Sequence, residues 1–250
     1  SSDLVENCVG RSSASGLKFG TVSRGGFRNF KVKNIKIYDT YRSAITFAAV
    51  DGALIENIEV DGVRSIHTGN VIYLRIGDRW SAGKKPIMKN ITIKNVYAEI
   101  PMDKPDAGYN YEGPIEDLPR NISPASIVGL PEYKIQNVTL QNIEIVSPGG
   151  GNPYYAYRGL APAELDSIPE MATSYPEFSQ FKELPAWGFY IRHAEGITFD
   201  NVTFKALKKD YRPAIVMDDA GEVTFKDVRF IEPEGEGKKQ IFPYKSKVIK

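Results

Sequence analysis

Apolar and polar residues alternate with period two in short segments spread along nearly the whole chain, and the segments lie over one another. NFKVKNIKI from Asn29, NIEVDGVRS from Asn57, NITIKNVYA from Asn90 and NVTLQNIEI from Asn137 share one form. GITFDNVTF from Gly196 and EVTFKDVRF from Glu222 complete the set, and SDLVENCV from Ser2 fits more loosely. Each begins with a small or polar residue, runs apolar, any, apolar, any, then places Asn, Asp or Gly before a further apolar position. Period-two alternation predicts a strand with one face buried and the other outward. The sixth-place Asn, Asp or Gly predicts a bend, because these residues tolerate left-handed backbone.

The copies start at 2, 29, 57, 90, 137, 196 and 222. Successive starts lie 27, 28 and 33 residues apart, then 47, 59 and 26. The short intervals suit one coil of a stacked repeat, and the two long ones suit a coil plus an insertion. A second strand follows each first one: GLKFG (16–20), SAITF (43–47), NVIYLRIG (70–77), ASIVGL (125–130), WGFYIRH (187–193) and PAIVMDD (213–219). Two strands at fixed phase predict an all-β, right-handed parallel β-helix over residues 1–250. An antiparallel sandwich gives no reason for such phasing, and no leucine consensus or helical period supports a leucine-rich solenoid. Asn at one phase predicts a ladder whose side-chain amides satisfy turn backbone in adjacent coils. That reading accounts for three glycosylation-like triplets, at Asn90, Asn137 and Asn201, as products of the repeat; a fourth lies at Asn121.

Residues 97–124 and 147–186 break the pattern as long insertions, and about 232–250 forms a polar tail. The insertions carry Tyr97, Tyr109, Tyr111, Tyr154, Tyr155, Tyr157, Tyr175, Phe178 and Phe181. Such loops either stack sugar rings or anchor themselves to the coil surface. In the second strand series, inward Leu17, Phe19, Ile45, Phe47, Ile72, Leu74, Ile76, Phe189 and Ile191 leave Lys18, Thr46, Tyr73, Arg75, Tyr190 and Arg192 outward. Stacking then gathers Lys18, Thr46, Tyr73 and Arg75 on one flat face, a row suited to an acidic polysaccharide or to plain solvation. Arg24, Arg42, Asp78 and Arg79 follow nearby.

Composition narrows the partners. Thirty-two Lys and Arg against 31 Asp and Glu leave a net charge of +1, without the basic excess that nucleic acid demands. No apolar run is long enough to span a bilayer. The lone Cys8 excludes an internal disulfide and reads as buried packing. His67 and His193 lack the His or Cys companions of a metal site and read as structural; no cofactor is implied. No signal peptide opens the chain, which begins in strand pattern at SSDLVENC, as a processed or upstream-truncated polypeptide would.

The stretch GLKFGTVSRGGFRNFKVKNIKIYDTYRSAITF, followed by VDGALIENI and VIYLRIGDR, resembles glycoside hydrolase family 28, the polygalacturonase family of parallel β-helices. ELPAWGFYIRH and YRPAIVMDDAGEVTF extend the likeness. The resemblance implies inverting hydrolysis of pectic, galacturonate-containing polysaccharide, and export to the periplasm or beyond. Lys18, Arg24, Arg42, Tyr73, Arg75, Asp78, Arg79 and Arg192 are the substrate-binding candidates. The family's Asn-Thr-Asp and Asp-Asp motifs are not found. SSASG stands where Gly-His-Gly would lie, and AITF, with Arg42 nearby, where Arg-Ile-Lys would. Asp218-Asp219 falls several coils too late to replace the pair. The chain therefore reads as the C-terminal part of such a helix. Two alternatives stay open: a non-catalytic carbohydrate-binding β-helix, and a lyase using Arg75 or Lys18 as base.

Overall fold

A computed structural model describes residues 3–103, 105, 123–155, 158–233 and 238–249. The chain is all-β, 59% strand and 5% helix, with parallel pairing throughout its thirteen-stranded sheet. In chain order the strands are β1 (Asp3–Glu6), β2 (Val9–Gly10), β3 (Leu17–Phe19), β4 (Gly26–Arg28) and β5 (Phe30–Ala49). β6 (Leu54–Ile76), β7 (Ile87–Glu99), β8 (Ala125–Val128) and β9 (Ile135–Gly149) follow. β10 (Phe189–Lys208), β11 (Ile215–Ile231), β12 (Ile241–Tyr244) and β13 (Val248–Ile249) complete the set.

The repeat copies are the pairing units. Val32 lies opposite Val60, then Ile93, Leu140, Phe199 and Phe225, each on the next copy at the same phase. In the second series Phe19 faces Phe47, then Leu74, Ile127, Ile191 and Met217. All these side chains except Phe225 are buried, and the inward assignments hold, with Leu17 half-buried. Like thus stacks on like, and the rings of Phe19 and Phe47 lie 4.8 Å apart.

Strands of 15 to 23 residues are far longer than ordinary ones, and each is folded by left-handed residues. The expected bends occur at Asn34, Gly62, Asn95, Asn142, Asn201 and Asp227, with φ between 50° and 83°. A second, unforeseen bend falls on the first residue of each copy, at Asn29, Asn57, Asn90, Asn137, Gly196 and Glu222. Because of these bends the pairing closes on itself through β6, β7, β9, β10 and β8.

Both bends carry side-chain ladders. Asn57 donates to Asn29, Asn90 to Asn57, and Asn137 to Asn90, at 3.0–3.2 Å. At the other bend Asn34 donates to Asn7, Asn142 to Asn95, and Asn201 to Asn142. The amides therefore bond to one another rather than to turn backbone as expected. Where Gly62 interrupts, Asp61 Oδ1 accepts from Asn95 at 2.6 Å. Asn90, Asn137 and Asn201 are all ladder members, as the repeat reading requires; Asn121 lies outside the described residues.

Cys8 corrects one expectation. It occupies an inward phase beside Ile35 but is exposed, since β1 and β2 pair on one side only, with β5.

Candidate functional site

The second insertion positions the site by covering half of the outward row. Among its described residues beyond Gly149 it forms turns, two single 3-10 turns and the short α-helix α1 (Pro162–Asp166). Its Leu165, Ile168, Phe178, Phe181 and Leu184 pack in one buried cluster with Tyr73, Val128, Tyr190 and Val216 of the sheet. Each such side chain contributes about 1.5–3 kcal/mol to docking. The register unites Lys18, Thr46 and Tyr73 in one row, which continues through Ser126, Tyr190 and Val216. The expected open face is corrected: Tyr73, Arg75, Tyr190 and Arg192 are all buried.

Arg75 is 2% exposed, donates to the Gly129 and Glu170 carbonyls, and lies over the Phe181 ring at 5.1 Å. Burial lowers its pKa. Arg192 donates to the Ile168 carbonyl at 2.7 Å and pairs with Glu170 at 2.8 Å and Asp218 at 3.0 Å. Burial pushes the Asp218 carboxyl above its ordinary range despite the Arg192 charge. Both arginines hold the insertion down.

The other candidates converge where this cover ends. Lys18, on β3, donates to the Tyr175 hydroxyl at 2.9 Å and sits 4.9 Å from its ring centre. Arg42 and Arg79 lie over the same ring at 5.2 and 5.5 Å. Partial burial alone would raise the Tyr175 phenol, but the Lys18 bond and the neighbouring cations hold it below the ordinary tyrosine range. Arg79 also stacks on Trp80 at 3.9 Å, and Arg24 donates to the Trp80 carbonyl at 3.0 Å. Tyr175 is 40% exposed and Trp80 54%, so both rings face solvent.

Local backbone explains the convergence. Arg42 sits in an irregularity of β5, where the pairing to β6 shifts between Thr40 and Ser43. Arg79 and Trp80 occupy the turn after β6. Asp51 ties that turn to the loop after β3: it accepts from Arg79 at 3.0 and 2.7 Å and from the Val22 amide at 2.7 Å. Asp51 is 1% exposed; burial raises its carboxyl, but these bonds outweigh it and leave it below the usual range. Asp78 is exposed, while its amide donates to the Ala172 carbonyl at 2.8 Å and binds the insertion to the turn. Gly77 permits that approach, since a Cβ there would meet Ala172 O at 2.8 Å. Glu177, buried, pairs with Arg42.

Trp80, Asp51 and Glu177 escape the sequence reading. Trp80 directly follows the noted Asp78-Arg79, which was its signal; the carboxylates have none, being defined by insertion and turn geometry. Of the insertion aromatics, Tyr154 is fully out at 94% exposure, while Phe178 and Phe181 are buried anchors. Tyr109, Tyr111 and Tyr157, and the Tyr155 side chain, lie outside the described residues.

His67 lies between Asp39 at 2.8 Å and Asp103 at 3.3 Å, and His193 between Asp219 at 2.8 Å and Glu170 at 3.1 Å. Asp39, His67, His193 and Asp219 all have positive φ, so these pairs brace further bends. Among the described residues no group of three or more His, Cys, Asp or Glu is placed to hold a metal ion, and no helix is long and apolar enough to cross a membrane. Compared with family models, curated proteins and solved structures, the chain matches none.

Proposed function

We propose that the chain is a right-handed parallel β-helix whose Lys18–Tyr175–Trp80 surface binds a uronate-containing, pectin-like polysaccharide, as part of a polygalacturonase-like hydrolase acting outside the cytoplasm. The in-register stacking of repeat copies 26 to 28 residues apart supports the helix reading. One observation carries the ligand class: Lys18, Arg42 and Arg79, from separate segments, lie against two solvent-facing aromatic rings, and Arg24 reaches the Trp80 backbone carbonyl beside them. Sugar rings offer apolar faces to Trp80 and Tyr175, and uronate carboxylates match the Lys18 ammonium and the Arg24 guanidinium, since Arg42 and Arg79 already pair with Glu177 and Asp51.

Inverting hydrolysis needs one carboxyl to protonate the leaving oxygen and another to activate water. Asp51 and Glu177 are each held by an arginine, which favours non-catalytic binding as the second reading. A lyase using Arg75 as base is disfavoured, since that guanidinium is buried and committed to carbonyl oxygens.

The test is calorimetric titration with oligogalacturonate, alongside assays for new reducing ends and for unsaturated, ultraviolet-absorbing products. Binding is expected, weakened about tenfold or more, some 1.4 kcal/mol, by Trp80→Ala or Tyr175→Ala. Absent binding, or binding indifferent to both substitutions, overturns the site. New reducing ends support hydrolysis, and binding without them leaves the non-catalytic reading. Ultraviolet absorbance identifies Lys18-based elimination instead.

A further inference from the structure

A second surface, built on a different segment of each copy, runs the length of the stack. Two residues beyond the sixth-place bend, the register aligns Lys36, Arg64, Tyr97, Glu144, Thr203 and Arg229 in one continuous row. These side chains and the Asn34–Asn95–Asn142–Asn201 ladder line an open groove of about 920 Å³. Lys36, Arg64, Glu144 and Arg229 are exposed, and Tyr97 is half-buried.

The charges are unbalanced. Three cations face one carboxylate, Glu144, and among the described residues none of the three is held in an ion pair. Arg64 lies over the Tyr97 ring at 4.8 Å, and the Tyr97 hydroxyl donates to Glu99 at 2.7 Å, which fixes the ring. The ladder adds side-chain amides at Asn34, Asn95, Asn142 and Asn201, with Gly62 interrupting it, and successive copies are spaced about 4.8 Å along the stack as paired strands are.

We infer that this groove binds an extended acidic glycan lying along the stack, at a site separate from the Lys18–Tyr175–Trp80 surface. A polymer with a short repeat meets equally spaced polar groups, Tyr97 supplies a face for a sugar ring, and the unpaired cations take its carboxylates. An added peptide strand does not fit. The inner strands of the groove, β5, β6, β7, β9 and β10, already spend their backbone groups on parallel neighbours on both sides. Among the described residues only the two ends, β2 and the Arg229 end of β11, have a free side, where an added strand would run across the stack rather than along the groove. The outward row holds polar side chains rather than apolar pockets.

The test uses the whole chain and a galacturonate hexamer in calorimetry, with Trp80 fluorescence as a separate report on the other surface. Arg64→Glu combined with Tyr97→Ala is expected to remove one binding equivalent while the Trp80 response persists. Arg64→Gln alone, a milder change at an exposed position, is expected to weaken that equivalent at least fivefold. A fully methyl-esterified hexamer should lose it too. One equivalent that depends on Arg64 with a silent Trp80 would support the groove and sink the other surface. Unchanged stoichiometry and affinity in the folded Arg64→Gln chain would overturn the inference. So would equal binding of the esterified hexamer, or no binding at all.

Discussion

Arg192→Met separates a structural clamp from a sugar ligand. Arg192 is 6% exposed and stands between Asp218 at 3.0 Å, Glu170 at 2.8 Å and the Ile168 carbonyl at 2.7 Å. Methionine keeps much of the volume but removes the charge, leaving Asp218, itself 4% exposed, without its countercharge. Breaking one side of a buried pair costs about 3–5 kcal/mol. Adding Asp218→Leu removes the stranded carboxylate, so the double variant should recover a coupling of about 2–3 kcal/mol. The pH dependence has a definite sign. Burial already raises the folded pKa of Asp218, and losing Arg192 raises it further. An acid with a raised folded pKa favours the fold at low pH and loses that contribution as pH rises. The Arg192→Met deficit should therefore shrink between pH 7 and pH 5. Urea unfolding followed by the buried Trp187 reads all of this. A cost below about 1 kcal/mol, or strict additivity with Asp218→Leu, would refute the clamp.

Three further outcomes follow from the same geometry. Asn142, with φ 53° and ladder bonds to Asn95 and Asn201, should cost roughly 2–4 kcal/mol as Asn142→Ala and about half that as Asn142→Gly, which keeps the left-handed bend; equal losses in urea unfolding would remove the backbone part of the argument. Asp51 has its folded pKa lowered, so its contribution is complete above about pH 4 and is lost as pH falls below it; Asp51→Asn should be less stable at pH 7 and show a flatter acid limb in melting experiments. Cys8 is exposed, so a maleimide should label the folded chain without denaturant.

The repeat was legible because it is local: alternation sets which side chains enter the core, and a bend residue every copy sets where the strand folds. The inward rows and the sixth-place bends follow from that alone. The first-place bend was not, because Asn29 and Asn57 read as polar strand starts, and only their left-handed backbone distinguishes them. The site was half legible. Lys18 was singled out as an outward position of the second strand series, Arg24, Arg42 and Arg79 as residues beside it, and they do converge. What draws Lys18, Arg42 and Arg79 together is Tyr175, whose position depends on how a non-periodic insertion packs, and no spacing rule carries that. Cys8 failed for the opposite reason: its phase was right, but a strand paired on one side only cannot bury it.

The fate of each outward row depends on what it presents. The row of Lys36, Arg64, Tyr97, Glu144, Thr203 and Arg229 is polar, and it stays open to solvent. The row of Tyr73, Ser126, Tyr190 and Val216 is mostly apolar surface, which must be covered, and the insertion supplies Leu165, Phe178 and Phe181 to cover it. Arg75 and Arg192 lie just beside the covered row, so they point their charges at the Glu170 and Ile168 carbonyls and the Glu170 carboxylate of the cover. Lys18 stands at the polar end of the same row, past the last apolar member. There Tyr175 turns one face to solvent among Lys18 of the row, Arg42 of the β5 irregularity and Arg79 of the turn after β6. The proposed ligand surface is thus the boundary of the insertion's apolar footprint, and its place along the stack follows from where the outward row changes from lysine and threonine to tyrosine.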